Sequence, residues 1–235
     1  YIGTRYAGWQ IQKNQTTIQG QLKEALSTFA GQPVSVIGAG RTDSGVHAMA
    51  QVAHFTLAQP TSREKLIRAL NGILPWDIRI MSLSHVSSSF HAQKDAIRKR
   101  YEYQLYNGPT LSPFLHGYVL HVRHPLDLQA MQEAAQHLCD THDFTGFAAA
   151  ATQVKSRIRQ VYLSQIQKRG HHVTYRVEAN GFLHHMVRNI VGTLLQIGSG
   201  KRPASDIRRI LTSRNRRMAG PTAPAQGLYM MKTWY

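Results

Sequence analysis

Val34-Ser-Val-Ile-Gly-Ala-Gly-Arg-Thr-Asp-Ser-Gly-Val-His-Ala48 is the stretch around which the rest of the chain can be interpreted. Its branched apolar start predicts a buried strand, which ends at the glycines at positions 38 and 40. A cation, a hydroxyl and a carboxylate follow at Arg41, Thr42 and Asp43. Polar side chains on a glycine-rich loop after a strand are typical of a functional site. The carboxylate of Asp43 is therefore the strongest chemical candidate, although an ordinary solvent-exposed turn has the same composition.

Several common kinds of site do not fit this sequence. The glycine spacing differs from the dinucleotide-binding fingerprint, and the alternating segment Gln51–Leu57 predicts a strand where that fingerprint needs a helix. There is no Gly-Lys-Ser/Thr phosphate loop, no nucleophile elbow and no zinc spacing among the histidines. The single cysteine, Cys139, excludes an internal disulfide and a cysteine-based zinc site. A lone carboxylate that acts covalently or as a base remains, and we expect no metal.

The charge of the chain predicts a polyanionic partner. It has 28 Lys and Arg residues against 12 Asp and Glu residues, which gives a net charge of +16. Such an excess of positive charge is most often found in proteins that bind nucleic acid. The basic residues come in small groups, mostly after residue 91, which favours a folded basic surface over a disordered tail. We expect the following residues to contact a nucleic-acid backbone: Arg98, Lys99, Arg100, Lys155, Arg157, Arg214 and Arg216.

Hydrophobic periodicity predicts an α+β fold with two domains, 1–90 and 91–235. Capping boxes at Thr16-x-x-Gln19 and Thr61-x-x-Glu64 predict helices in the first domain, and residues 78–90 suggest strand, loop and strand. In the second domain we expect a strand at Tyr101–Tyr106, a helix capped by Asp127, a hairpin of Val161–Lys168 with His172–Ala179, an apolar helix from Leu183 to Leu195, a short helix from Ser205 and a closing strand Leu228–Tyr235.

Two further residues are candidates for the site. Arg188 is the only charged residue between Leu183 and Gly200, and a cation offsets the effect of burial, which raises the pKa of a carboxyl group. Tyr101 follows three cations, and an aromatic ring in that position can stack on an unpaired base. From the residues alone, a solvated helix face is the preferred interpretation for Arg188, and packing is the usual role of a strand tyrosine such as Tyr101.

The loop Gly40-Arg-Thr-Asp-Ser-Gly-Val-His-Ala48 resembles the signature loop of the tRNA pseudouridine synthase A (TruA) family. Ser44 stands where that family more often has a small apolar residue. Since the chain starts at Tyr1 without a methionine, we expect a few residues of the first strand to precede it. Five other segments fit the family in the same order: Tyr6-Ala-Gly-Trp-Gln10, Thr17-Ile-Gln-Gly20, Arg100-Tyr-Glu-Tyr103, the stretch 181–192 and Gly227-Leu-Tyr229.

The resemblance implies an enzyme that isomerises uridine to pseudouridine in tRNA, at positions 38 to 40 of the anticodon stem-loop. It implies that Asp43 is catalytic, that Arg188 is its basic partner and that Tyr101 lies near the target uridine. Leu228 would form an apolar wall of the pocket, and we add Arg41 to the substrate-binding residues. The implied fold has two ferredoxin-like halves in one extended, mostly antiparallel sheet, with flanking helices and a central cleft. A homodimer, no cofactor and a cytoplasmic location complete the expectation.

Two other classes of protein stay open at this point. One is an RNA-binding module without catalysis, although the usual RNA-recognition strand signature is absent. The other is a nucleic-acid glycosylase or nuclease that uses the same carboxylate. No long apolar run suggests a membrane segment.

Overall fold

The computed structural model describes residues 1–150, 152 and 154–235. The chain forms two compact units: the first is Tyr1–Ala96 with Tyr235, and the second is Ile97–Trp234. The division into domains 1–90 and 91–235 stays a prediction.

The first unit is built on two helices, α1 (Ile18–Ala30) and α2 (Arg63–Ile73). Its strands are short: β1 (Ile37–Gly38) pairs antiparallel with β3 (Ala53–His54), and β2 (His47–Ala48) lies between them in sequence. The helices and the start of the chain bury one apolar cluster, which includes Tyr6, Trp9, Ile18, Leu22, Leu26, Val34, Val36, Leu66 and Leu70.

Both helices of this unit begin one residue later than the capping boxes predict. Thr17 caps α1, and its hydroxyl accepts from the Gly20 amide at 3.2 Å. Ser62 caps α2 by accepting from the Lys65 amide at 3.3 Å. The first predicted box fails because the Gln19 side chain is engaged elsewhere: its oxygen accepts from the Ile11 amide at 3.0 Å, and its NH2 group donates to the Val36 carbonyl at 2.8 Å. The predicted stop at Gly31 is correct, since this residue has φ +64°.

The strands predicted at residues 78–90 are absent from the structure. The backbone of Ile80 is satisfied by a side chain, because Asn71 accepts from its amide at 2.8 Å and donates to its carbonyl at 2.9 Å. One asparagine thus replaces a neighbouring strand, and alternation in the sequence cannot reveal this. The strand predicted at Gln51–Leu57 is also shorter and consists of Ala53–His54.

The second unit is a mostly antiparallel sheet with helices. Its strands run in the order β9-β4-β8-β7-β6, and β5 pairs parallel with the end of β4. The bounds of the strands are β4 Arg98–Tyr106, β5 Leu120–His121, β6 Asp140–Asp143, β7 Ile158–Arg169, β8 His172–Ala179 and β9 Leu228–Trp234. The helices are α3 Leu128–Gln136, α4 Met186–Gly198 and α5 Asp206–Ser213.

Most predictions for this unit are confirmed. The hairpin β7–β8, the closing strand and the cap at Asp127, whose carboxylate accepts from the Ala130 amide at 2.9 Å, are all present. Helix α4 begins at Met186 rather than Leu183, because His185 has φ +61° and a left-handed residue cannot continue a right-handed helix. The α+β class is confirmed.

The two faces of this sheet differ in chemistry. Tyr101, Tyr103 and Leu105 are buried, as the alternation of β4 predicts. The opposite face carries two buried acids. Glu178 is ion-paired with Arg98 and with Arg100, and Glu102 accepts from Arg176 at 2.7 Å. Five charged residues on this face therefore largely neutralise each other; these are Arg98, Arg100, Arg176, Glu102 and Glu178.

Candidate active site

The loop that carries Asp43 is a tight turn in the first unit. The Asp43 carbonyl accepts from the Val46 amide at 3.1 Å, and Gly45, between them, has φ +79°. Asp43 is partly buried, whereas Arg41 is exposed. Ahead of the turn, the side-chain amide of Gln51 donates to the Gly40 carbonyl at 2.8 Å. The backbone around the carboxylate is therefore held on both sides, as a reacting group requires.

The start of the chain holds the same loop. The Trp9 amide donates to the Thr42 carbonyl at 3.0 Å, and the Tyr6 carbonyl accepts from the Gly45 amide at 3.3 Å. Gly8 allows this approach, because a Cβ atom there would lie 2.5 Å from the Thr42 carbonyl oxygen. The motif Tyr6–Gln10 thus supports the catalytic candidate. The sequence shows this motif only as part of a family resemblance and does not reveal its physical role.

Asp77 fixes the supporting segment in turn. This buried carboxylate accepts from the Tyr6 hydroxyl at 2.6 Å and forms an ion pair of 3.4 Å with Arg5. Burial, together with the hydrogen bond to Asp77, raises the pKa of Tyr6 to about 12. The phenol therefore stays a proton donor throughout the physiological range, and the Tyr6 backbone keeps its position under the Asp43 loop.

Arg188 lies in the second unit on α4, where a neighbouring loop holds it. Its Nε donates to the Ala223 carbonyl at 2.7 Å, and the Ala223 amide donates back to the Arg188 carbonyl at 3.0 Å. The next residue of that loop, Pro224, accepts from the Tyr103 hydroxyl at 2.7 Å. The guanidinium group is partly buried and its orientation is fixed by backbone atoms, so it is not on a freely solvated helix face.

The loop that holds Arg188 is itself tied to α4 by a polar network. Asn189 accepts from the Thr222 hydroxyl at 2.7 Å and from the Arg216 guanidinium at 2.9 Å. Arg216 also donates to the Gly220 carbonyl at 3.0 Å. Asn189 is fully buried. Sequence reasoning missed Asn189 and expected Arg216 on tRNA; the latter role stays a prediction, while the structure shows that Arg216 organises this loop.

We expect Arg216→Ala to lower the free energy of unfolding by about 2 kcal/mol, because it removes hydrogen bonds from a charged donor and leaves the buried Asn189 oxygen with one partner fewer. Arg217→Ala is the matched control, since this neighbour is exposed and carries the same charge. Urea denaturation of both variants measures the difference. Equal stabilities would contradict the structural role of Arg216.

Tyr101 and Leu228 lie on neighbouring strands of the same unit. Tyr101 is opposite Met230 and Leu228 is opposite Tyr103 in the β4–β9 ladder, so the four side chains share one face. Tyr101 also packs edge to face against Phe182, with ring centroids 4.9 Å apart. The structure thus brings Tyr101 and Leu228 together. An aromatic ring beside an aliphatic wall is suitable for contact with a base.

The cations predicted to hold the tRNA backbone are in different environments. Arg98 and Arg100 contact Glu178 and lie 4.9 and 5.3 Å from the centroid of the Trp234 ring. Arg214 is ion-paired with Asp143 at 3.1 Å. Arg216 binds the loop beside α4, as described above. Of the other three, Lys155 is exposed, Arg157 donates to the Thr152 carbonyl, and the pKa of Lys99 is lowered by burial and then by Arg159.

The candidate residues are divided between the units. Asp43 and Arg41 belong to the first, whereas Tyr101, Arg188 and Leu228 belong to the second. The pairing of Asp43 with Arg188 stays a prediction. Among the residues that the structure describes, no helix has both the length and the apolar composition needed to cross a bilayer.

Comparisons with known proteins identify the class to which this arrangement belongs. A family profile described as tRNA pseudouridine synthase matches residues 1–93 and 134–235. The tRNA pseudouridine synthase A of Brevibacillus brevis is 45% identical over 235 residues, which is the whole of this chain and 96% of that protein. The protein of the same name from Limosilactobacillus reuteri is 42% identical over 240 residues, with 94% of its length covered.

These matches define the class as tRNA pseudouridine synthases. The chain belongs to the tRNA pseudouridine synthase A family, as its loop and motifs predict, and the predicted α+β class and the predicted class of enzyme are confirmed with it.

Proposed function

We propose that this chain converts uridine to pseudouridine in tRNA, at positions 38, 39 and 40 of the anticodon stem-loop. Full-length similarity to enzymes named tRNA pseudouridine synthase A is the observation that carries the proposal. The net charge of +16 supports a polyanionic substrate. The turn at Asp43, which hydrogen bonds from Trp9 and to Tyr6 hold in place, supplies the carboxylate that the reaction needs.

The reaction exchanges one bond to the ribose for another. The bond from C1′ to N1 of uracil breaks, the ring rotates, and a bond from C1′ to C5 forms, after which the C5 proton leaves and N1 gains a proton. Asp43 promotes the first step, either by attack on the sugar or by assisting a glycal-type route. Because substrate and product are isomers, the chemistry consumes no cofactor.

Arg188 and Tyr101 complete the proposed site. Arg188 keeps the carboxylate of Asp43 ionised, since a nearby cation favours the charged form of an acid. Its fixed guanidinium, bound to Ala223, suits that role. Tyr101 stacks on the uracil, and Leu228 forms an apolar wall beside it. Arg41, on the exposed edge of the Asp43 turn, contacts the substrate.

The target nucleotide leaves the stack before reaction, because an enzyme cannot reach the glycosidic bond of a stacked base. Arg98, Lys99, Arg100, Lys155, Arg157, Arg214 and Arg216 are the proposed phosphate contacts, and binding weakens steeply with salt. The enzyme acts as a homodimer in the cytoplasm, with one tRNA contacting both subunits.

Mapping pseudouridine in bulk tRNA tests the proposal. Wild-type protein is incubated with unmodified tRNA transcripts that have uridine at positions 38 to 40, and pseudouridine is located by chemical labelling and primer extension. We expect product at those positions only. Release of free uracil or strand cleavage would show a glycosylase or a nuclease instead, and tRNA binding without pseudouridine would show a binding module.

A further inference from the structure

The tip of the β7–β8 hairpin carries a basic cavity that none of the roles above uses. This open cavity has a volume of about 530 Å³ and is lined by Gln167, Lys168, Arg169, His172 and Thr174. Of the residues that the structure describes, two cations, an imidazole, an amide and a hydroxyl line it, and no carboxylate does. The lining therefore has the composition of a site for an anion.

The hairpin holds these groups in a regular arrangement. The ladder continues to its last pair, Arg169 opposite His172, so the turn contains only two residues. Gly170 in that turn has φ +59°, a conformation that glycine adopts without strain. The turn is joined to the end of β4, because the Asn107 amide donates to the His171 carbonyl at 2.7 Å. Arg169, His172, Gln167 and Thr174 share one face of this supported ladder, and Lys168, opposite Val173, lies at the edge of the cavity.

Ion pairs among the described residues do not neutralise the positive charge of this cavity. Among the described residues, neither Lys168 nor Arg169 forms an ion pair. Glu102, an acid on β4, is already occupied by Arg176 at 2.7 Å. This differs from Arg98 and Arg100, whose charge is shared with the buried Glu178. Lys168 and Arg169 are exposed and available to an external anion.

We infer that this cavity is a binding site for backbone phosphate of the tRNA. The inference rests on the proposed function for the identity of the partner. A guanidinium group binds a phosphodiester in a bidentate manner, and lysine and an imidazole N–H add single contacts. The Thr174 hydroxyl donates to the Gln104 side-chain oxygen at 2.8 Å and is left out of the phosphate contacts. The site positions the tRNA without reading its sequence, so it serves every tRNA substrate equally.

The double variant Lys168→Gln/Arg169→Gln tests the site in the full-length protein. Its Kd for an unmodified tRNA transcript at 0.1 M salt should rise about tenfold, and the slope of log K against log salt should fall by about one to two, as expected for two lost phosphate contacts. Both side chains are exposed at a hairpin tip, so folding should persist, which thermal denaturation verifies.

Lys23→Gln/Lys65→Gln is the matched control, because it removes the same charge from exposed positions on α1 and α2. Its Kd should change by less than about twofold if the effect is local. Equal affinities and salt slopes for the two double variants would overturn the site. A loss of affinity accompanied by a change in oligomeric mass would also overturn it, since the surface would then belong to contacts between copies.

Pseudouridine formation by the wild-type protein separates this inference from the proposed function. A wild-type protein that forms pseudouridine, together with equal binding by both double variants, removes only the phosphate site. A wild-type protein that binds tRNA and forms no pseudouridine removes the proposed function, while the comparison of the double variants still decides whether the cavity binds RNA.

Discussion

The variant Asp43→Asn is expected to lose at least about 10⁴-fold in pseudouridine formation while its Kd for tRNA stays within about twofold of wild type. The amide keeps the size of the side chain and cannot act as a nucleophile or a base. Its backbone neighbours are unaffected, because the turn is closed by the Asp43 carbonyl and the Val46 amide. One carboxylate contributes little to the affinity of a protein with a net charge of +16. Single-turnover formation of pseudouridine and equilibrium tRNA binding measure the two quantities.

Ser44→Ala is the control for this variant because it changes the adjacent side chain in the same turn. The Ser44 hydroxyl donates to the Tyr6 carbonyl at 3.2 Å, so its loss should reduce stability by about 1 kcal/mol and leave turnover within a few-fold. Turnover that persists in Asp43→Asn protein at more than about a hundredth of the wild-type rate would contradict a covalent or basic role for the carboxylate.

Local chemistry explains which parts of the fold could be predicted. Gly31, Asp127 and the turn at Gly170 can be predicted from the sequence because each depends only on residues a few positions away. Two of the predictions that failed depended on side chains 9 and 17 residues away. Gln19 bonds to Val36, and Asn71 replaces a strand beside Ile80.

The residues of the candidate site also differ in whether the sequence alone reveals them. Asp43 stands out in the sequence because glycines and polar residues surround it. By contrast, Asn189 looks like one polar residue on an apolar helix, and its contacts with Thr222 and Arg216 span 33 and 27 residues. Arg216 was expected on the surface because its neighbours are basic. Composition predicts that a cation is present, but only the fold determines whether its hydrogen bonds are already used.

Gly192→Ala should lower the free energy of unfolding by about 3 kcal/mol or more. A Cβ atom at this position would lie 1.7 Å from the Pro221 carbonyl oxygen, which belongs to the loop beside α4. Backbone atoms cannot yield as a flexible side chain does, so the loop must move away. Its movement breaks both hydrogen bonds between Ala223 and Arg188, and the guanidinium loses its fixed orientation. Pseudouridine formation should therefore fall further than the folded fraction does.

Gly72→Ala makes the same chemical change but should not lower the free energy of unfolding. Position 72 lies in α2, and among the described residues no atom beyond the adjacent backbone of the helix comes within 4 Å of a Cβ atom there. Alanine is favoured over glycine in a helix by about 1 kcal/mol, so this variant should be as stable as wild type or slightly more stable. Since both glycines are helical, propensity favours alanine at each, and only the contact with Pro221 reverses the sign at position 192. Urea denaturation of the two variants measures that reversal, and two variants of equal stability would refute the close packing of α4 against the loop that holds Arg188.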